Sequence, residues 1–172
     1  PRLIEGLPDD LVCRPPALLG EVGWLVDGAI VNRDTIAYQE RLCLMHQFGI
    51  IDLLRGLEPQ KTVRIIEIGG GYGGLGYFLG QIFKNIQYVI CDLPVSLYFS
   101  ATYLSEVVGA SNVVIYDGNN PEVLEPDKGP RYVCLPNHFF DHLMGKSFDL
   151  AINTMSFIEM PGDVVDHYAR GL

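Results

Sequence analysis

The feature that most constrains the fold is an apolar strand that runs straight into a cluster of glycines. Residues 63–68 read Val-Arg-Ile-Ile-Glu-Ile, and residues 69–74 read Gly-Gly-Gly-Tyr-Gly-Gly. A β-branched run of this length predicts a buried strand, and the glycines permit a tight turn into a helix. In a sheet of parallel strands, the first turn of this kind is where nucleotides bind. The sequence therefore predicts an α/β fold with a ligand site at this turn.

Strand and helix signals continue to alternate along residues 61–172. Further strands are predicted near residues 87–91, 112–116, 131–135 and 148–152, and helices near residues 73–84, 96–108 and 163–170. Such alternation predicts a mostly parallel sheet with helices on both faces. We therefore expect one Rossmann-like domain over residues 61–172.

Residues 1–60 are predicted to form a separate N-terminal helical extension. Proline and glycine are frequent in residues 1–30, which favours irregular structure with at most short helices. Asn32 or Asp34 could cap a helix that begins near Thr35. The expected buried face of this helix, taken from its helical spacing, comprises Ile36, Ala37, Glu40, Leu44 and Phe48.

Composition disfavours several classes of partner and site. The formal net charge is −9, and an acidic surface repels nucleic-acid phosphates. No apolar run approaches the roughly 20 residues that span a bilayer, so we expect no membrane partner. Neither a disulfide framework nor a metal site is predicted, because the cysteines form no C-x-x-C pair and the pair His138 and His142 lacks a third ligand. The cysteines are Cys13, Cys43, Cys91 and Cys134. We expect a reducing compartment, the cytoplasm.

The glycine turn fits two classes of nucleotide site. Its spacing of glycines also satisfies the dinucleotide-binding pattern. Glu67, two residues before the first glycine, would repel a pyrophosphate and attract a cationic ammonium. We therefore predict S-adenosylmethionine as the cofactor and a nicotinamide-dependent oxidoreductase as the less favoured alternative. The predicted cofactor-binding residues here are Glu67, Gly69, Gly70, Gly71 and Tyr72.

The second predicted strand ends in Asp92-Leu93-Pro94. The Asp92 carboxylate could accept hydrogen bonds from both hydroxyls of a ribose, and Leu93 is expected against the adenine. Two plainer interpretations remain open. Asp92 could be a helix N-cap, and Glu67 could be a solvated acid at the end of a strand.

These segments resemble the sugar O-methyltransferases, a family within the Rossmann-like methyltransferase superfamily. The matching stretches are residues 67–75, 88–94 and 148–160, and residues 31–39 are similar as well. The resemblance implies methyl transfer from S-adenosylmethionine to a hydroxyl of a small molecule, a sugar or glycoside. Such in-line displacement depends mainly on proximity and alignment. A catalytically inert module that keeps the cofactor pocket is the alternative.

The family fold also suggests roles for residues after the later strands. A polar group after the third strand is expected to hold the adenine amino group, and Asn137 is favoured over Asp117 by its spacing to the next strand. Asn153 is expected at the methionine end of the cofactor. Glu159 is the predicted catalytic base or acceptor-orienting group, with a helix-start carboxylate as the alternative. A complete sheet of this family has more strands, so we predict a cofactor site but not activity of this piece alone.

Overall fold

The computed structural model describes residues 4–16, 18–19 and 22–172. The N-terminal part contains β1 (Trp24–Val26), β2 (Ala29–Val31), α1 (Arg33–Gln47) and α2 (Ile50–Leu57). The remainder contains β3 (Val63–Ile68), α3 (Gly74–Ile82), β4 (Ile86–Asp92), α4 (Pro94–Val108), β5 (Val113–Ile115), β6 (Tyr132–Pro136), β7 (Leu150–Asn153) and α5 (Gly162–Gly171). Short 3-10 turns lie at Asp9–Leu11, Ala110–Asn112, Pro121–Leu124, Asn137–Leu143 and Ser156–Glu159.

The main sheet has five strands in the order β5-β6-β4-β3-β7. Every neighbouring pair is parallel, which confirms the predicted sheet type. Strands β4, β6 and β5 extend to one side of β3 and β7 lies on the other, so the direction of winding reverses beside β3. Ligands of open α/β sheets bind at the carboxyl ends of the strands at such a reversal.

Both faces of the sheet are covered, as the sequence predicts. Alternate residues of β3 and β4 pack against α1, α2, α3 and α4 on one face, and the intervening residues pack against α5 and the turn Asn137–Leu143 on the other. Leu42, Ile51 and Leu54 from the N-terminal helices lie in the same cluster as Ile65 of β3. The boundary at residue 60 stays a prediction, but the helices before it share the sheet's core.

The expectation of irregular structure in residues 1–30 is wrong for part of that range. β1 and β2 form an antiparallel hairpin in which Val26 pairs with Ala29. The two loop residues, Asp27 and Gly28, have φ values of +48° and +81°, as a type I′ hairpin turn requires. An Asp-Gly pair between apolar runs is itself a hairpin signal, which the frequent glycines and prolines of this stretch obscure. Residues 1–3, 17, 20 and 21 of this stretch lie outside the described residues.

The first long helix is present, but the predicted buried face is wrong. Asn32 is confirmed as the N-cap, in a reciprocal capping box with Thr35, and the helix begins at Arg33. Its buried residues are Thr35, Gln39 and Leu42, while the expected inward residues Ile36, Leu44 and Phe48 are exposed. Gln39 explains the orientation. Its amide donates to the Leu11 carbonyl at 2.9 Å and accepts from the Cys13 N–H at 2.7 Å.

Candidate functional site

Three glycines of the turn after β3 adopt left-handed backbone conformations. The φ angle is +75° at Gly69, +57° at Gly71 and +88° at Gly73, a region that other residues rarely adopt. The Gly69 N–H donates to the Cys91 carbonyl at 2.8 Å, which ties the turn to the neighbouring strand β4. The glycine loop, defined here as residues 69–73, therefore lies at the carboxyl ends of β3 and β4.

Glu67 lies under the glycine loop rather than on its surface. Its side chain is 2% exposed, and the Tyr88 hydroxyl donates to its Oε2 at 2.8 Å. A Cβ built on Gly70 would lie 2.9 Å from that same oxygen, so the carboxyl group lies directly against the loop backbone. Burial raises the pKa of Glu67 to about 7, against the opposing effects of the Tyr88 hydrogen bond and the Arg41 charge.

Asp92 connects the second strand to the glycine loop. Its Oδ2 accepts a hydrogen bond from the Gly71 N–H at 3.0 Å, and its Oδ1 accepts from the Leu93 N–H at 2.7 Å. Each carboxylate oxygen has a second lone pair, so acceptor capacity remains at the carboxyl end of β4. The Leu93 side chain beside it is 55% exposed. Asp92 thus holds the loop and can still bind a ligand hydroxyl.

Tyr72 is positioned by aromatic contacts with helices on either side. Its ring lies edge-on to Tyr38 of α1 at a centroid distance of 5.9 Å, and edge-on to Tyr103 of α4 at 4.9 Å. The Ser100 hydroxyl of α4 donates to the Gly71 carbonyl. The glycine loop is therefore braced by α1 and α4 together.

Asn137 follows the strand adjacent to β4. Pro136, the last residue of β6, pairs with Asp92, so Asn137 begins the next turn at the same edge of the sheet. Its side chain hydrogen-bonds to the hydroxyl of Tyr168 in α5. Both this position and Asp92 lie at the carboxyl ends of neighbouring strands.

Asp117, the other candidate for that role, follows the outermost strand β5 and lies in a tight turn. Its carboxylate accepts from the Asn119 N–H at 2.9 Å, and this local bonding lowers the pKa of Asp117. The contacts are those of an Asx turn. β6 separates this strand from β4, so Asp117 is farther than Asn137 from Asp92 in strand order.

Asn153 and Ser156 link β7 to the end of β3. The Asn153 amide donates to the Ile68 carbonyl at 2.9 Å and to the Ser156 hydroxyl at 2.6 Å. The Ser156 hydroxyl donates in turn to the Ile68 carbonyl at 3.0 Å. A Cβ on Gly69 would collide with the Ser156 side chain. These contacts join the carboxyl ends of β3 and β7, where the direction of winding reverses.

Glu159 follows Asn153 and Ser156 along the chain. It is the last residue of the 3-10 turn Ser156–Glu159, and its side chain is exposed. The histidine pair lies elsewhere: His142 Nδ1 is 2.8 Å from the Tyr116 hydroxyl. Within the described part of the chain, no group of three or more His, Cys, Asp or Glu side chains is arranged to hold a metal ion.

Two side chains that support the glycine loop were not predicted. Ser100 is fully buried on the inward face of α4 with Leu97 and Leu104. A lone hydroxyl on an otherwise apolar helical face is a sequence pattern that could have indicated a buried hydrogen bond. Tyr88 gave no local signal, because it meets Glu67 only through the pairing of β3 with β4.

Solved structures of methyltransferases share this architecture. The chain is similar to a protein from Galdieria sulphuraria described as a sarcosine dimethylglycine methyltransferase, with a TM-score of 0.50 and 18% identity over 78% of this chain and 45% of that one. It is also similar to the mitomycin 7-O-methyltransferase MmcR, with a TM-score of 0.46 and 15% identity over 81% of this chain and 34% of that one. The chain thus spans less than half the length of either protein.

No family model matches the sequence, and neither does any curated protein. No helix among the described residues is both long enough and apolar enough to cross a membrane. The shared architecture concerns the fold alone. The chain has a Rossmann-like α/β fold similar to that of the Galdieria sulphuraria protein, preceded by a β-hairpin and two helices.

Proposed function

We propose that this chain is the cofactor-binding part of an S-adenosylmethionine-dependent O-methyltransferase that acts on a hydroxyl of a small molecule, a sugar or glycoside. The observation that carries the proposal is the pair of acids around the glycine loop. Asp92 accepts from the Gly71 N–H, and the Glu67 carboxyl lies against Gly70. The Asp92 charge, together with the Glu67 charge that a nearby cation would favour, suits a cationic ligand and opposes a pyrophosphate.

The other residues at this edge support a consistent set of roles. The backbone of Gly69, Gly70, Gly71 and Tyr72 lets the ligand approach closely. Asp92 binds the ribose hydroxyls, exposed Leu93 packs on the adenine, and Asn137 meets the adenine amino group. Asn153 lies at the methionine end, where its bonds to Ile68 and Ser156 fix the loop that follows β7.

The cofactor supplies the methyl group, and the chain contributes position and charge. Alignment of the acceptor oxygen with the methyl carbon accounts for most of the rate gain in such a transfer. The exposed carboxylate of Glu159 accepts the proton that the acceptor hydroxyl releases. The assignment of a sugar rests on the resemblance of residues 153–160 to the sugar O-methyltransferases.

Binding measurements test the cofactor. Titration calorimetry with S-adenosylhomocysteine and with NAD should show binding of the first and not the second. Binding of NAD without S-adenosylhomocysteine would refute the proposal in favour of an oxidoreductase.

Transfer of labelled methyl from the cofactor to a panel of sugars and glycosides tests the reaction, in the full-length protein that contains this chain. We expect a methylated product from at least one member of the panel. Cofactor binding without any product would favour the inert module.

A further inference from the structure

We propose that a cavity beside the glycine loop binds the aromatic aglycone of the acceptor, so that the substrate is an aryl glycoside rather than a free sugar. This inference rests on the function proposed above. The cavity has a volume of about 460 Å³, within the usual range of small-molecule sites. Its apolar lining consists of Leu18, Leu19, Tyr72, Tyr98, Phe99 and Tyr103. We call it the aromatic cavity.

The aromatic cavity borders the candidate cofactor site at Tyr72. Tyr72 belongs to the glycine loop and lines the cavity as well. The Ser100 hydroxyl of α4 donates to the Gly71 carbonyl, and Tyr72 lies edge-on to Tyr103 at 4.9 Å. One wall of the cavity is therefore fixed to the loop. A ligand in the cavity lies next to the cofactor-binding backbone.

The lining is chemically matched to a flat aromatic ring. Tyr98 and Phe99 lie in the first two turns of α4 and are 69% and 67% exposed. Large aromatic side chains grouped in this way at a cavity are characteristic of binding sites. Aromatic rings pair favourably with a second ring in edge or offset geometry. A free sugar, with hydroxyls around its ring, would leave most of this apolar wall uncovered.

The cavity also offers a small number of polar groups, which suit the sugar part of the ligand. These are Asn32, Asp34 and Thr102. The Asn32 side chain accepts from the Thr35 N–H in the helix cap. The exposed Asp34 carboxylate and the Thr102 hydroxyl are therefore the better groups for hydrogen bonds to sugar hydroxyls. A ligand with an aromatic part and a hydroxylated part satisfies both regions of the lining.

The test compares two glycosides that differ in the aglycone alone. Titration calorimetry on the chain saturated with S-adenosylhomocysteine should give a dissociation constant at least tenfold lower for 4-nitrophenyl β-D-glucopyranoside than for methyl β-D-glucopyranoside. Phe99→Ala should weaken binding of the aryl glycoside at least fivefold. Phe48→Ala is the matched control, because Phe48 is 75% exposed at the end of α1 and does not line the cavity. It should leave the affinity unchanged.

Three results would overturn the inference while leaving the proposed function intact, provided that S-adenosylhomocysteine binds. They are equal affinities for the two glycosides, no measurable binding of either, and equal effects of the two phenylalanine substitutions. Because Phe99 is mostly exposed, its removal leaves the core in place, and a circular dichroism spectrum checks this. Loss of S-adenosylhomocysteine binding in the unmodified chain is a different result, which refutes the proposed function and this inference together.

Discussion

A buried carboxyl under a ligand loop makes the stability of this protein depend on pH. Burial raises the pKa of Glu67 from 4.5 to about 7. Between these values the native state holds a proton that the unfolded chain has released, so stability falls as pH rises. The contribution of Glu67 is fully present below pH 4.5 and is lost as pH rises through about 7. A shift of this size corresponds to about 3 kcal/mol.

Glu67→Gln should remove this pH dependence. Glutamine keeps the shape of the side chain and an acceptor for the Tyr88 hydroxyl, but it has no charge to bury. Urea unfolding at pH 5 and pH 8 should therefore show the variant gaining stability relative to the wild type at the higher pH, by about 1–3 kcal/mol. Glu106→Gln, an exposed acid on α4, is the control and should follow the wild type. If the free energy of unfolding changed equally between pH 5 and pH 8 in the wild type and in Glu67→Gln, the burial of an ionisable group at this position would be contradicted.

Asp92 holds the glycine loop and is proposed to bind the ribose, and its substitutions separate these two roles. Asp92→Ala removes the acceptor of the Gly71 N–H together with the charge, and should lower affinity for S-adenosylhomocysteine by about 1–3 kcal/mol. Asp92→Asn keeps an acceptor oxygen for the loop, so we expect an intermediate loss. Calorimetry gives both values, with Glu106→Ala as an exposed control. Unchanged affinity in Asp92→Ala would reduce Asp92 to a structural link.

At the residue scale, the sequence suggested candidate site residues but did not indicate which side chains they contact. The position of Glu67 before the glycines marked it as important, but its contact is with Tyr88, 21 residues later in the chain. Asn153 stays a predicted residue of the methionine end, and its contacts with Ile68 and Ser156 were not indicated by the sequence. Such contacts depend on which strands become neighbours, and a local pattern does not contain that information.

At the scale of elements, the helices and strands with the strongest local sequence patterns were the ones predicted most accurately. β3 has the predicted bounds because a β-branched run buried on both faces needs no partner to be recognised. The other predicted strands and helices of residues 61–172 are present, with ends displaced by at most two residues. Helix α1 was predicted as an element, but its apolar spacing indicated the wrong face. Its orientation is set by Gln39, whose partners lie 26 and 28 residues away.

The role of Gln39 gives a prediction at this scale. Gln39→Leu replaces the amide with an apolar side chain of similar size and leaves the Leu11 carbonyl and the Cys13 N–H without this partner. We expect a loss of about 2–4 kcal/mol in the free energy of unfolding, since each unpaired buried group costs about 1–3 kcal/mol. Leu44→Ala is the control: Leu44 is 47% exposed, and surface substitutions usually stay within about 0.5 kcal/mol. Urea denaturation measures both. A larger loss of unfolding free energy in Leu44→Ala than in Gln39→Leu would mean that the buried face of α1 is the one expected from sequence.

For the molecule as a whole, the N-terminal helices contact both the glycine loop and the core of the sheet. Tyr38 of α1 contacts Tyr72 of the loop, and a Cβ on Gly74 would be 2.5 Å from the Tyr38 ring. Leu42, Ile51 and Leu54 belong to the same core cluster as β3. Composition suggested a boundary near residue 60, but a change in pattern along the chain does not reveal whether two segments share a core.

This shared core predicts that the chain opens as one unit when it unfolds. Hydrogen exchange measured by mass spectrometry should then show α1 and β3 equally protected. Ligand at 100 times its dissociation constant stabilises the native state by about 2.7 kcal/mol, so exchange through global unfolding should slow about 100-fold. S-adenosylhomocysteine should slow exchange in α1 and β3 alike, and Asp92→Ala at the same ligand concentration should show a smaller effect in both. Slowing confined to β3 and β4, with α1 exchanging as in the free protein, would mean that the N-terminal helices unfold independently.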